Sequence, residues 1–195
     1  MVLKRKNGDP GINYLVNDGS LKLKSLSNKD IIIIGERHGY SGDEKLVLEL
    51  CRVIKPDYVL VEGLADFKLY DLEAKREALK IPEKDLYYQD FTRHWIKLSI
   101  KAGDIPFIGM EYTNWDEENR NIKNLSYKES FKIREGHFLR LIRKYAKVGK
   151  VLAVCGDTHV RSIETDVLGP VSPLYSSYIS DPKACIIRTA EGEIE

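Results

Sequence analysis

Four short apolar runs set the rhythm of this chain: Ile31 to Ile34, Tyr58 to Val61, Ile105 to Met110 and Val151 to Cys155. Runs of this length, bounded by polar and turn residues, predict strands buried on both faces, the signature of a parallel sheet covered by helices. The segments between them carry helical spacing. Ser41, Gly42, Asp43 and Glu44 offer a cap and an acidic first turn to a helix whose Leu46, Val47, Leu50, Val53 and Ile54 share one face. Phe91, Trp95, Leu98 and Ala102 predict a helix over about 91–102, capped by Asp90 and stopped by Gly103. Phe131, Phe138, Leu141, Ile142 and Tyr145 predict a long helix from about 126 to 148, closed by Gly149. The charged stretch 66–84 predicts a further helix that ends at Pro82.

At the ends the pattern changes to alternation. Residues 12–16 and 20–26 flank Asn17-Asp18-Gly19, a hairpin turn signal, and 173–190 reads as a closing hairpin around Ser180-Asp181-Pro182-Lys183. The expected fold is a single α/β domain with a mostly parallel central sheet flanked by helices. Its core spans about 31–165, with hairpins at about 12–26 and 173–190. No low-complexity linker divides the chain, and 195 residues suffice for one sizeable core.

Chemistry-bearing residues gather at the ends of the apolar runs. The first run leads into Gly35-Glu36-Arg37-His38 and the last into Gly156-Asp157-Thr158-His159, the same Gly-x-x-His twice in the same context. The second ends at Glu62 and the third at Glu111. Ligands of open α/β sheets bind beyond the carboxyl ends of the strands, so neighbouring parallel strands would bring all these groups to one edge. Imidazole and carboxylate are the usual ligands of zinc, manganese or iron(II) at a hydrolytic site. A glycine at the end of each strand lets the chain turn sharply and lets backbone N–H groups approach a ligand. Each group also has a plainer reading. A histidine after a strand can simply bond a carbonyl, Glu62 can interact with the N-terminus of the next element, and Asp157 or Thr158 can cap the next helix.

Arg134 lies on the apolar stripe of the long helix, three residues after Phe131 and four before Phe138. An inward arginine needs a carboxylate or phosphate, which Glu62, Glu111 or an anionic substrate would supply; the alternative is a stem that snorkels to water. His94 reads as a satisfied, half-buried side chain and His137 as a solvated one.

Composition narrows the class rather than the chemistry. Hydrophobic residues make up 43% and charged residues 31%, with a net charge of +1, as expected of a soluble globular protein. That balance gives no reason to expect nucleic acid or an anionic membrane as a partner. The basic start of the chain is not followed by an apolar stretch, so no signal peptide is expected, and no run approaches the ~20 apolar residues of a membrane span. The three cysteines lack metal-type spacing and fit packed thiols in a reducing, cytoplasmic setting. A single glutamine, Gln89, amid abundant Ile, Lys and Glu is a thermophile-like bias.

Gly35-Glu36-Arg37-His38, the Pro56-Asp57-x-Val59-x-x-Glu62 segment, Arg134-Glu135 and Gly156-Asp157-Thr158-His159 together resemble the TraB/PrgY and Tiki group. That group shares a superfamily with ChaN-like haem-binding proteins and erythromycin esterases, and the resemblance spans about residues 31–165. It implies an α/β fold and a metal-dependent protease-like activity. By that resemblance His38, Glu62 and His159 form the metal-binding or catalytic core, with Arg134 in support. Gly-Glu-Arg-His is closer to the opening motif of the ChaN-like proteins, and Glu111 resembles the acidic residue that the esterases carry at a strand end.

The leading expectation is therefore a hydrolase of ester or peptide bonds using one divalent metal, manganese, cobalt or zinc, on His38, Glu62 and His159. Glu36 or Glu111 would serve as general base. Arg37, Glu111 and Asp157 are placed to bind a small-molecule or peptide substrate, with Arg37 or Arg134 orienting an anionic group. The alternatives are a metal-free esterase in which His38 activates water, and a protein that binds haem or another ligand without turnover. The sequence leaves the oligomeric state open.

Overall fold

A computed structural model of the chain describes residues 13–16, 26–36, 41–86, 89–111, 126–161 and 171–190. Its centre is a seven-stranded sheet. In chain order the elements are β1 (Asn13–Val16), β2 (Ile31–Glu36), α1 (Ser41–Ile54), β3 (Tyr58–Val61), β4 (Lys68–Leu69), α2 (Leu72–Lys80), α3 (Asp90–Lys101), β5 (Phe107–Gly109), α4 (Tyr127–Ala146), β6 (Val151–Gly156), α5 (Pro173–Tyr178) and β7 (Ala184–Ala190). Single 3-10 turns follow β3 (Glu62–Leu64) and β6 (Asp157–Val160), and a third lies at Glu83–Asp85.

Across the sheet the order is β1-β7-β2-β6-β3-β5-β4. The five inner strands run parallel, while β1 and β4 close the edges antiparallel. The mixed α/β class with a mostly parallel sheet is as expected. The uninterrupted apolar runs are needed because both faces are covered. Ile32 and Ile34 of β2, with Val59, Val61, Leu152 and Val154, pack under α1 and α3, against Leu46, Leu50, Trp95 and Ile96. Ile31 and Ile33, with Leu60, Ala153 and Cys155, face α4 and α5, against Phe138, Ile142 and Leu174. Successive strand residues thus alternate between two cores, so no position is free to be polar until the strand ends.

The order holds one feature that local pattern does not reveal. β2 and β3 flank one helix in sequence but are not neighbours in the sheet, because β6 lies between them. That insertion aligns the carboxyl ends of three strands. Glu36 pairs with Gly156, and Val61 pairs with Val154 on one side and Gly109 on the other. Gly35 makes the junction tight. A Cβ there would lie 2.2 Å from Val160 Cγ2 and 2.9 Å from Asp157 Oδ1. The first Gly-x-x-His therefore needs its glycine to seat the turn of the second.

The helices start and stop for ordinary reasons. Ser126 and Glu129 form a reciprocal capping box at the start of α4, and Asp71 caps α2 by accepting from the Ala74 N–H. The charged stretch expected as one helix over 66–84 is instead an edge strand, β4, followed by the shorter α2.

The segment expected as a closing hairpin, 173–190, is a helix followed by a strand: Ser172 caps α5, Pro173 occupies its first turn, and β7 then pairs parallel to β2. Serine before proline is a helix-start signal, and it outweighs the alternation. At the other end β1 does form over 13–16, but its partner is β7, antiparallel. The turn and nearly all of the second arm, residues 17–25, lie outside the described residues. No helix among the described residues is long and apolar enough to cross a membrane.

Candidate functional site

The carboxyl ends of β3, β5 and β6, together with one face of α4, assemble a buried network of charge. Phe131, Arg134, Glu135 and Phe138 occupy positions i, i+3, i+4 and i+7 of α4, one helical face. Glu62 opens the turn after β3, Glu111 follows β5, and His159 stands in the turn after β6.

Arg134 Nη2 donates to Glu62 Oε1 at 2.7 Å and to Glu111 Oε2, joining the ends of two strands to the helix. The second oxygen of Glu62, Oε2, accepts the Gly156 N–H at 2.7 Å, so the glycine of the second motif anchors it directly. His159 is bracketed by carboxylates, with Nε2 3.5 Å from Glu62 Oε1 and Nδ1 3.6 Å from Glu135 Oε1. Its ring stacks on Phe131, centroids 4.2 Å apart and planes 5° from parallel, and meets Phe138 edge-on at 5.0 Å. Arg161 completes the array. Its Nη1 donates to Glu135 Oε1 at 3.2 Å and to the Thr158 carbonyl at 2.9 Å, with the guanidinium over Phe131.

Glu62, Glu111, Glu135, His159 and Arg161 are all buried. Arg134 is the member that reaches solvent, its side chain 21% exposed against 2–6% for the Glu62, Glu111 and His159 side chains. Three carboxylates, those of Glu62, Glu111 and Glu135, face two guanidiniums, those of Arg134 and Arg161, so a protonated His159 balances the cluster. The titration behaviour reflects this balance. Burial pushes the Glu62 carboxyl up, but His159, Arg134 and the Gly156 N–H outweigh it and bring it down to about 2. Burial pulls the His159 imidazole down, yet Glu135 and Glu62 prevail over it and over the opposing Arg134, and hold the ring above its ordinary value.

The expected site residues divide. Glu62, Glu111, Arg134 and His159 come together, and Arg134 takes both carboxylates that its position allowed. Glu36 ends β2 beside Gly156, buried. Asp157, expected as a substrate-binding group, holds Arg188 of β7 in a two-point pair, Nε to Oδ1 at 2.8 Å and Nη2 to Oδ2 at 2.5 Å. Arg37 and His38 lie outside the described residues. Of the other histidines, His94 pairs with Glu44 at 2.8 Å, while His137 is half-buried rather than solvated.

Glu135, Arg161 and Phe131 hold His159 without having been singled out as site residues. The four-residue step from Phe131 to Glu135 was the available signal. An acidic residue beside an arginine on a helix reads as solvated surface, and Arg161 stands on a turn with no period to reveal it.

The described residues include no group of three or more His, Cys, Asp or Glu side chains arranged to hold a metal ion. Both nitrogens of His159 face carboxylates, Glu62 at 3.5 Å and Glu135 at 3.6 Å. Both oxygens of Glu62 are likewise taken, by Arg134 and by Gly156. The third expected ligand, His38, lies outside the described residues.

No family model matches the chain. No curated protein matches it either. Among solved structures it is similar to the type III effector HopBA1, at 19% identity over 77% of each chain with a TM-score of 0.40, a likeness too slight to carry an argument.

Proposed function

We propose that this protein hydrolyses an ester or peptide bond by acid–base chemistry at the strand-end site, with Arg134 as the group that meets the substrate. The observation that carries the reading is the graded exposure of the network. Four buried side chains, Glu62, Glu111, His159 and Glu135, stand behind one accessible guanidinium. A guanidinium fixed by two carboxylates needs no reorganisation when charge appears in front of it, the property required to stabilise an oxyanion.

The charges assign the roles. Glu62, held at about 2, is too weak a base to take a proton from water near neutrality and serves to position Arg134 and His159. Glu111 is occupied by the same arginine. The base therefore falls to His38 or Glu36, both on the first Gly-x-x-His. In this scheme the base takes a proton from water as the water oxygen bonds to the carbonyl carbon. Arg134 meets the resulting oxyanion, and collapse expels the alcohol or amine, which recovers that proton. The resemblance to the superfamily with the erythromycin esterases supports the same reaction class. Three buried cysteines, none in a disulfide, support a reducing, cytoplasmic setting.

The test is hydrolysis of a panel of aryl, alkyl and peptide esters by purified protein, before and after exhaustive chelation. Activity that survives chelation and falls at least about a hundredfold in His38→Ala or in Glu36→Gln is expected. Absence of turnover on every substrate overturns the reading. Activity lost to chelation and restored by manganese, cobalt or zinc transfers it to the metal-dependent hydrolase.

A further inference from the structure

A cavity lies at the opposite, amino ends of the strands. Lys55 stands before β3 and Ile105 before β5, so both mark the amino ends of strands whose carboxyl ends deliver Glu62 and Glu111. There the last turns of α1 and α3 flank a half-open cavity of about 320 Å³ lined by Leu48, Cys51, Arg52, Lys55, Lys101, Ala102 and Ile105. That volume is at the lower end of the ~300–1,000 Å³ of ligand pockets.

The lining has two characters. Leu48, Cys51, Ala102 and Ile105 make an apolar floor, while Arg52, Lys55 and Lys101 are exposed cations around it. Cys51 adds no charge, since burial pushes its thiol up to about 12. Among the described residues none of the three cations has a carboxylate within 4.0 Å. The floor is also firmly built. The fully buried Lys75 donates to the Gly103 carbonyl at 2.5 Å and to the Ile105 carbonyl at 2.7 Å, fixing the segment after α3 from behind.

Basic residues near helix C-termini are ordinary complements of the helix dipole. Two facts separate this group from that pattern. The cations of two helices share one apolar cavity, and Lys55 holds a left-handed backbone, φ 46°, at a position that favours glycine. Its N–H still closes the helix on the Cys51 carbonyl at 3.2 Å, a task that glycine performs without strain.

We propose that this cavity binds a dissolved medium-chain amphiphilic anion, its chain on the Leu48–Ile105 floor and its carboxylate or phosphate head among Arg52, Lys55 and Lys101. The apolar floor gains by covering a chain, and three unneutralised cations gain by an anionic head. Neither inorganic phosphate nor a neutral alcohol satisfies both.

The experiment is calorimetric titration of the full chain with sodium decanoate and with decyl phosphate, both below their micelle concentrations, against decanol, inorganic phosphate and phosphatidylglycerol vesicles. Saturable binding of the two amphiphiles, absent for decanol and inorganic phosphate, is expected. Lys55→Gly relieves the left-handed strain and should leave the melting temperature unchanged or higher while weakening binding about tenfold, the scale of one charge-assisted hydrogen bond. Lys101→Glu should weaken it at least as much. No binding at millimolar amphiphile, equal binding of inorganic phosphate, capture by vesicles alone, or affinity unchanged in both variants overturns the proposal. Ester hydrolysis is read on the same samples, and its presence or absence leaves this outcome unaltered.

Discussion

Arg134 and Glu62, 72 positions apart in sequence, meet at 2.7 Å, and the same guanidinium nitrogen also touches Glu111. One side chain of α4 thereby ties together the ends of β3 and β5, which pair in the sheet through Val61 and Gly109. Removing it takes the shared cation away from two buried carboxylates. Stripping one partner from a fully buried pair costs about 3–5 kcal/mol, and the 21% exposure of Arg134 lowers the expectation to roughly 2 kcal/mol for Arg134→Met. Arg134→Lys keeps the charge but loses the planar fork and should recover only part of this. Urea denaturation of the two variants checks the order; equal stability of Arg134→Met and the parent would show the bridge to be energetically idle.

The second prediction concerns Gly35. A methyl group there would meet Val160 Cγ2 at 2.2 Å, a distance that real contacts do not show. Gly35→Ala should therefore destabilise by about 1–3 kcal/mol, the usual cost of overpacking. Val160→Ala removes the obstructing methyl at its own cavity cost, and the double variant should be more stable than the sum of the single effects implies. Additive effects in the cycle would mean that the two Gly-x-x-His segments are not coupled through this contact.

The same residues show how much of the fold and site was legible in the chain. The runs Ile31 to Ile34 and Val151 to Cys155 announce buried parallel strands because burial on both faces leaves no room for alternation. Their order across the sheet is another matter. That β6 separates β2 from β3 depends on which edges remain open when α4 returns the chain, and no local pattern records it. Glu62, Glu111 and Arg134 were legible because a charge directly after an apolar run, or on an apolar stripe, is conspicuous, and His159 because Gly-x-x-His occurs twice in the same context. Glu135 entered only as part of the Arg134-Glu135 motif, with no role of its own, and Arg161 not at all, since each looks like ordinary surface until the fold buries it. Ser172-Pro173 was a misread signal rather than a missing one: cap and first-turn proline pointed to a helix where alternation suggested a strand.

The three cysteines give the third prediction. All are buried thiols outside any disulfide; burial raises the Cys51 thiol to about 12 and the Cys155 thiol well above its ordinary value. The thiolate is the reactive form, so at pH 8 the folded protein should react with a disulfide reagent only as fast as it opens. Labelling followed by mass spectrometry should show three modifications in denaturant and, in its absence, a slow rate that rises in step with added urea. Rapid labelling of any one cysteine under native conditions would contradict its placement.

The buried network should also write itself into the pH dependence of stability. His159 has its folded value raised, so its contribution is fully present below the unfolded value near 6.5 and is lost as pH climbs through the raised one. Glu62 behaves oppositely: held at about 2 against an unfolded value near 4.5, it contributes above pH 4.5 and fades as pH falls toward 2. The two contributions overlap fully between about pH 4.5 and 6.5, where the pair should stabilise most. Thermal melts across pH 3 to 9 test this. In His159→Gln the decline above pH 6.5 should flatten, and in Glu62→Gln the acid decline should begin at lower pH, while each variant melts lower at pH 6. The two limbs are also linked. With Glu62 neutral, His159 loses a facing charge, so its titration in Glu62→Gln should move to lower pH by imidazole NMR. An unchanged His159 titration in that variant would mean that Glu135 alone sets the charge of the ring.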